Sequence, residues 1–230
     1  MNYFSHIGQD RWVSEVLRGK RDGYFLDFGT FDGINHSNTF YLEKYLGWRG
    51  ICVEPNPYFY AATCAVRNCI TVNAALWPES RQSLEFCDAH GLSSLALFKD
   101  ADTNAALRGK ITRKVINVDT INPNELLDRF AAPALIDYMS LDVEGGELGV
   151  LQSLDLKRYR IALATIEHNH NVEKKAAVRE YLAPFGYEVL ECYNDDYFFH
   201  PGILKELGGP IMAPAEALKL VKGTYKLREY

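Results

Sequence analysis

The residues with the clearest chemical potential lie at the ends of two apolar runs. Residues 23–29 read GYFLDFG and continue through Thr30, Phe31 and Asp32 to Gly33, a turn whose glycines let backbone amides approach a ligand closely. Glu54 ends the next apolar run, GICVEP, where a carboxylate can accept both hydroxyl hydrogens of a ribose. Together they point to a cofactor containing a nucleoside. Folds that seat a pyrophosphate use G-x-G-x-x-G, whereas this turn has only Gly29 and Gly33 with three residues between, and no P-loop occurs. The pattern suits S-adenosylmethionine, which has no phosphates: its amino-acid end would sit at the first turn (Gly29, Thr30, Asp32, Gly33) and its ribose at Glu54.

A second group of titratable residues follows two later apolar runs. Asp142 and Glu144 follow YMSL, and Glu167, His168 and His170 follow IALATI. Were such a cofactor to give its methyl group to an oxygen, the reaction would need an in-line approach and a route for the hydroxyl proton. His168 is the expected base, since an unperturbed imidazole titrates near ~6.5, with Asp142 or Glu144 orienting it and His36 as a second candidate. Glu144, ahead of two glycines, also reads as an acid at a helix start, favoured by the helix dipole. Alternatively Asp142, Glu167 and His168 would bind Mg or Mn and lower the pKa of an acceptor hydroxyl.

These positions require strands that end side by side, and the sequence alternates accordingly. Apolar runs of strand length alternate with helical patterns, the signature of strand, crossover helix and parallel strand. After the first strand a helix capped by Ser37 or Asn38 carries Leu42, Tyr45 and Leu46 and stops at Gly47. Asn56 before Pro57 reads as a cap with proline at the first helical position. A third strand is expected over CITVNAAL from Cys69. The alternation lapses between Trp77 and Thr120, where SLEFCDA and RKVINVD read as extra strands of an insertion. It resumes with a capping box at Asn122, Pro123 and Glu125, a helix over Leu126, Leu127 and Phe130, two further strands, a helix from Val172 to Leu182, and a hairpin of YEVLECY with DYFFH. The expected fold is α/β: a doubly wound, Rossmann-like sheet, mostly parallel with an antiparallel C-terminal hairpin, in a single domain over 1–230 with a packed tail from about residue 201. Its ligand crevice should lie at the carboxyl ends of the strands.

Composition agrees with a compact enzyme-sized domain. Of 230 residues 47% are hydrophobic and 13% aromatic, which excludes disordered and fibrous classes. The formal charge of -5, without a basic block, argues against nucleic acid as a partner. No apolar stretch approaches the ~20 residues of a membrane helix, and the first residues, MNYFSHIGQDRW, do not read as a signal peptide, so a cytoplasmic protein is expected. The five cysteines form no Cys-x-x-Cys pair and read as reduced thiols.

With these motifs in view the chain resembles the FkbM family of S-adenosylmethionine-dependent methyltransferases. The matching stretches are FSHIGQD, GYFLDFGTFDG, HSNT, LGWRGICVEPNP, VNAAL, VDTI and SLDVEGGE, in the family order, with IEHN and FGYEV fitting its tail. The chain departs from the family at Thr30 and Phe31, where Ala with Asn or His is common, and at His6 and Gln9, where Gln and Glu are common. The resemblance implies that Gly29 and its neighbours line the methionine end, with Asn38 or Thr39 reaching the cofactor carboxylate, Glu54 the ribose, Asn73 and Ala74 the adenine, and Asp142 the floor near the sulfonium. It further implies O-methylation of a sugar, glycan or polyketide-like hydroxyl, and the 14 tyrosines offer stacking surfaces to a sugar face. An N-methyltransferase and a cofactor-binding module without catalysis are the alternatives.

Overall fold

The computed structural model describes residues 3–101 and 103–223; the last residues of the expected tail, 224–230, lie outside the described residues. In chain order the elements are α1 (Gln9–Val16), β1 (Tyr24–Phe28), α2 (Phe40–Leu46), β2 (Arg49–Val53), α3 (Pro57–Val66), β3 (Ile70–Val72), β4 (Ala75–Leu76), β5 (Ser83–Asp88), β6 (Ser94–Leu95), α4 (Ala105–Ile111) and β7 (Lys114–Ile121). There follow α5 (Pro123–Arg129), β8 (Leu135–Leu141), α6 (Glu147–Ser153), β9 (Arg160–Glu167), α7 (Val172–Leu182), β10 (Glu188–Cys192), β11 (Asp195–Phe199), α8 (Pro201–Glu206) and α9 (Pro214–Lys222).

The main sheet has the order β10-β11-β9-β8-β1-β2-β3. Strands β9, β8, β1, β2 and β3 are parallel, and β11 runs antiparallel to both β9 and β10. The central strands are apolar on both faces because helices cover both, as parallel sheets require. Leu26, Ile51, Met139 and Ile161 pack one face, Phe25, Tyr138, Leu163 and Trp12 the other. Strand β1 has β2 on one side and β8 on the other, so the crossovers part at its carboxyl end and open the crevice there.

The doubly wound sheet with its antiparallel hairpin is thus present, with local differences. CITVNAAL is not one strand: β3 belongs to the main sheet and β4 to a second sheet, β4-β7-β5-β6. The corner falls at Asn73, whose amide donates to the carbonyls of Glu54 and Pro55, both at 2.8 Å. The second sheet, with α4, is the expected insertion. Asn122 caps α5 by accepting from Asn124 and Glu125, but the capping box does not close: Glu125 pairs with Arg129, and the Asn122 N–H donates to Ser80. Tyr45 is exposed, stacked on Tyr41 at the surface. Helix α1, unassigned above, buries Trp12, Val13 and Val16 and packs against α9. Among the described residues no helix is long and apolar enough to cross a membrane.

Candidate active site

Gly29 ends β1 in a conformation that favours glycine, φ 92°, and a Cβ there would lie 1.7 Å from the carbonyl oxygen of Asp142. The glycine is thus required by the junction of β1 with β8, where the Asp142 N–H donates to Phe28 O at 2.9 Å. Beneath the turn, Arg67 from the end of α3 is buried and holds the surrounding chain together. It bonds Glu43 at 2.5 Å, Thr39 at 2.8 Å and Ser37 and the Gly33 carbonyl at 3.3 Å, and lies 3.9 Å from Asp27. Asp27 also accepts from the Thr39 hydroxyl. Burial raises the Asp27 carboxyl, and Arg67 and Thr39 oppose the rise.

Above the strand ends lies a cavity of about 1170 Å³, larger than the roughly 300–1,000 Å³ of a site for one small ligand. Acids line it at successive strand ends: Glu54 beyond β2, Asp142 beyond β8, Glu167 closing β9 and Asp195 opening β11. Because β11 is antiparallel, its first residue lies at the edge where the others end. Burial is the main reason each carboxyl is pushed upward: Glu54 to about 8, Asp142 to about 6, Asp195 to about 7, and Glu167 well above its ordinary value. Proximity adds to it, for Asp142 and Glu167 share a hydrogen bond, and Asp142, Glu144 and Asp195 all raise Glu167. Glu54 is fixed by two backbone N–H groups, one from each strand-end turn: Oε1 accepts from Asn56 N–H at 2.8 Å and Oε2 from Phe31 N–H at 2.9 Å.

The insertion forms the roof. Arg108 of α4 bonds Glu144 at 2.8 Å and the carbonyls of Leu92 and Lys99, both at 2.7 Å. Thr103 donates to Asn169 O and Asn171 to Ala101 O. Phe31, Phe59 and His90 cluster beside Glu54, with ring centroids 4.3 to 6.0 Å apart. At the rim His6 and His36 meet ring to ring at 5.0 Å, and burial and His36 lower the His6 pKa. Seven lining residues other than glycine have positive φ: Phe31, His36, His90, Glu144, Asn169, His170 and Tyr193. Such backbone conformations concentrate at functional sites.

Of the residues expected at the cofactor, Gly29, Asn38, Glu54 and Asp142 line the cavity together. Thr30, Asp32, Gly33, Thr39, Asn73 and Ala74 do not, each for a local reason. Thr30 bonds back to the carbonyls of Asp27 and Val53, Asp32 accepts from Ile34 and Asn35, and Gly33 packs on Thr63. Thr39 serves Asp27 and Arg67. Asn73 turns the chain between sheets and hands its place to Ala75 and Leu76, which line the cavity where Ala74 does not.

Of the expected bases, Asp142 and His36 line the cavity and His168 does not. β9 ends at Glu167, and beyond it Asn169, at φ 47°, lines the cavity with Glu167 while His168 does not. Its Nε2 lies 3.8 Å from Asp196, and its Nδ1 accepts from the His170 N–H at 3.1 Å; burial lowers its pKa. The acid at the start of α6 is Glu147, accepting from Val143 and Gly145 and paired with Lys174 at 2.7 Å. Glu144 sits in the preceding loop. The carboxylates that could hold a metal are therefore Asp142, Glu144 and Glu167, with ligand atoms all within 4.8 Å, and His168 is not among them. Arg67 and Arg108 are not among the candidate site residues of the sequence, and Asp195 reads there, with Asn194, only as the break between the two strands of the expected hairpin.

A nucleoside cofactor with a cationic end fits this cavity. Glu54 retains a free lone pair on each oxygen for two ribose hydroxyls. Asn38 donates to Ser140 at 2.8 Å, while its Oδ1 is buried without a partner, an acceptor placed for an ammonium group. Six carboxyls and no Lys or Arg line the cavity among the described residues, which suits a sulfonium.

No match was found among curated proteins. Solved structures with similar folds include a precorrin-6y C5,15-methyltransferase from Geobacter metallireducens, 16% identical over 83% of this chain and 84% of that one, with a TM-score of 0.44. The METTL16 MTase domain is 10% identical over 82% of this chain and 64% of that one, with a TM-score of 0.47. A human methyltransferase 10 domain containing protein is 11% identical over 87% and 85%, with a TM-score of 0.42. The assignment rests instead on a family model, the methyltransferase FkbM domain, which matches residues 27–189. Strand order, the turn at Gly29, the placement of Glu54 and that match converge, and the chain belongs to the FkbM methyltransferase family.

Proposed function

We propose that the protein is an S-adenosylmethionine-dependent O-methyltransferase whose acceptor is an uncharged hydroxyl compound, a sugar or glycan ahead of a polyketide-like alcohol. The bound cofactor supplies an electrophilic methyl group. The residues of this chain bind and orient: Glu54 takes the ribose hydroxyls, Asn38 the amino-acid end, and Phe31, Phe59 and His90 offer flat surfaces to the base. The observation that carries the hydroxyl reading is the set of Asp142, Glu167 and Asp195, carboxyls gathered in one cavity and all raised by burial, Asp142 to about 6 and Asp195 to about 7, where a general base is effective. The absence of Lys and Arg from the described lining disfavours a phosphate-rich acceptor such as nucleic acid. If a divalent ion is used, Asp142, Glu144 and Glu167 would hold it, and it would lower the hydroxyl pKa. Arg108 and Asn169 already engage Glu144, which favours proton transfer without metal.

The test is transfer of a labelled methyl group to neutral methyl glycosides, secondary alcohols and amines, with and without chelator, beside His168→Ala. Transfer to a hydroxyl compound in chelator, retained in His168→Ala, is the expected result. Turnover of amines alone would make the protein an N-methyltransferase, and cofactor binding without any transfer would make it a binding module. Loss of activity in chelator, restored by Mg or Mn, would establish the metal route.

A further inference from the structure

The N-terminal run FSHIGQD folds into a strap over the acid-lined end of the cavity, and none of the residues assigned above to the cofactor belongs to it. Asp10 Oδ2 accepts from the N–H groups of Phe4 at 2.7 Å and Ser5 at 3.3 Å, and the Ser5 hydroxyl donates to Oδ1 at 2.5 Å. The closed strap pairs Ser5 with His36 in a parallel bridge and brings His6 against His36. Gln9, at the start of α1, spends both ends of its amide. Its Oε1 accepts from Ile7 N–H at 3.1 Å, and its Nε2 donates to Asp195 Oδ2 at 2.8 Å, across 186 residues of sequence. Both side chains are buried, each residue 5% exposed. A buried amide held at one end by backbone fixes the rotamer of the carboxylate at the other.

The position of that carboxylate gives the bond its meaning. Along the sheet edge Glu54 and Asp195 lie on opposite sides of β1 and β8. Along that edge Asp195 lies two strands from Asp142, on the side away from Glu54. Around it the cavity is lined by His6, Ile7, His36 and Tyr193, rings and polar edges suited to a sugar face.

We propose that this end is the acceptor site, that Asp195 is the catalytic base for the acceptor hydroxyl, and that Gln9 is its positioning residue. The inference rests on the O-methyl-transfer reading above. The acceptor oxygen forms its bond to the methyl carbon as the carbon–sulfur bond breaks, the electron pair of that bond stays on sulfur, and the hydroxyl proton passes to Asp195 Oδ1, the oxygen not held by Gln9.

Two measurements test it on the full chain: calorimetry with S-adenosylhomocysteine, and methyl transfer to neutral methyl glycosides. Asp195→Asn should reduce kcat about a hundredfold or more, and Gln9→Ala about tenfold, with S-adenosylhomocysteine affinity within about threefold of wild type in both. The double variant should be no slower than Asp195→Asn alone, because Gln9 acts only through Asp195. A merely structural glutamine would make the losses multiply. Asp195→Asn turnover above about a third of wild type, or a loss of more than about fivefold in S-adenosylhomocysteine affinity in either variant, would overturn the proposal. If wild type binds S-adenosylhomocysteine yet methylates neither glycosides nor secondary alcohols, the hydroxyl reading fails separately and affinity decides: unchanged binding in both variants, beside its loss in Glu54→Ala, upholds the division of the cavity. Should Asp195→Asn fail to fold, Gln9→Ala carries both measurements.

Discussion

Replacing Glu54 by Ala removes the acceptor of two ribose hydroxyls. The side chain spends one lone pair per oxygen on the N–H groups of Asn56 and Phe31 and keeps the others for the ligand. Two hydrogen bonds to a charged group contribute about 1.5–3 kcal/mol each, a gross gain of roughly 3–6 kcal/mol. Burial holds the free carboxyl at about 8, so at pH 7 binding must first ionise it, at about 1.4 kcal/mol per pH unit. The net contribution is roughly 1.6–4.6 kcal/mol, and Glu54→Ala should weaken S-adenosylhomocysteine binding at least about tenfold at pH 7. The sign of the pH dependence follows. The ionised form binds, so binding releases a proton and affinity rises with pH, about fiftyfold from pH 6 to pH 8 and little above that. Glu54→Gln, with no proton to lose, should show a flat profile and lower affinity. Calorimetry in two buffers of different ionisation heat reads both affinity and proton release, and adenosine, lacking the titrating amino group, is the control ligand. A folded Glu54→Ala variant with wild-type affinity, or a wild-type affinity independent of pH between 6 and 8, would refute the assignment.

Gly29→Ala should destabilise the fold by more than about 3 kcal/mol in urea unfolding, because the new Cβ meets a backbone carbonyl and cannot be accommodated by a rotamer change; a variant within about 1 kcal/mol of wild type would place the junction elsewhere. Arg67→Ala leaves Asp27 and Glu43 buried without their cation and should cost about 3–5 kcal/mol by the same measurement. The raised carboxyls of Glu54, Asp142 and Asp195 bind protons in the folded state that the unfolded chain releases near pH 4, so their contribution is full below that pH and is lost as pH rises through about 6 to 8. The melting temperature without ligand should therefore fall between pH 5 and pH 8, and Glu54→Gln should flatten the upper part of that decline.

Features written locally in the sequence were legible. The strand ending at Gly29, the acid at Glu54, the Asn56-Pro57 cap and the helix from Val172 to Leu182 each depend on neighbours within a few residues, and the structure has them where the spacing put them. Features that depend on two distant segments were not. The run CITVNAAL has uniform composition, and only the hydrogen bonds of Asn73 to the β2–α3 connection divide it between sheets. Gly29 was read as making room for a ligand, whereas its closest neighbour is the Asp142 carbonyl. His168 follows the last residue of β9, and where its ring points is set by contacts with Asp196 and the His170 N–H that no local spacing encodes. Asp195 gave no warning, since its role depends on an antiparallel strand bringing its first residue to the edge where the parallel strands end.

The positive φ angles around the cavity bear on how this enzyme can change. A residue other than glycine held there costs of order 1–3 kcal/mol, so the rim carries a debt that the sheet beneath it must cover. Selection for heat resistance alone would find its gains there, by introducing glycine at His90, His170 or Tyr193 or by letting those turns relax. The same changes would remove rings from the walls of the cavity. Thermostable descendants obtained without a screen for turnover should accumulate substitutions at these rim positions and lose catalysis, whereas selection on both traits should confine its gains to the helices behind the sheet.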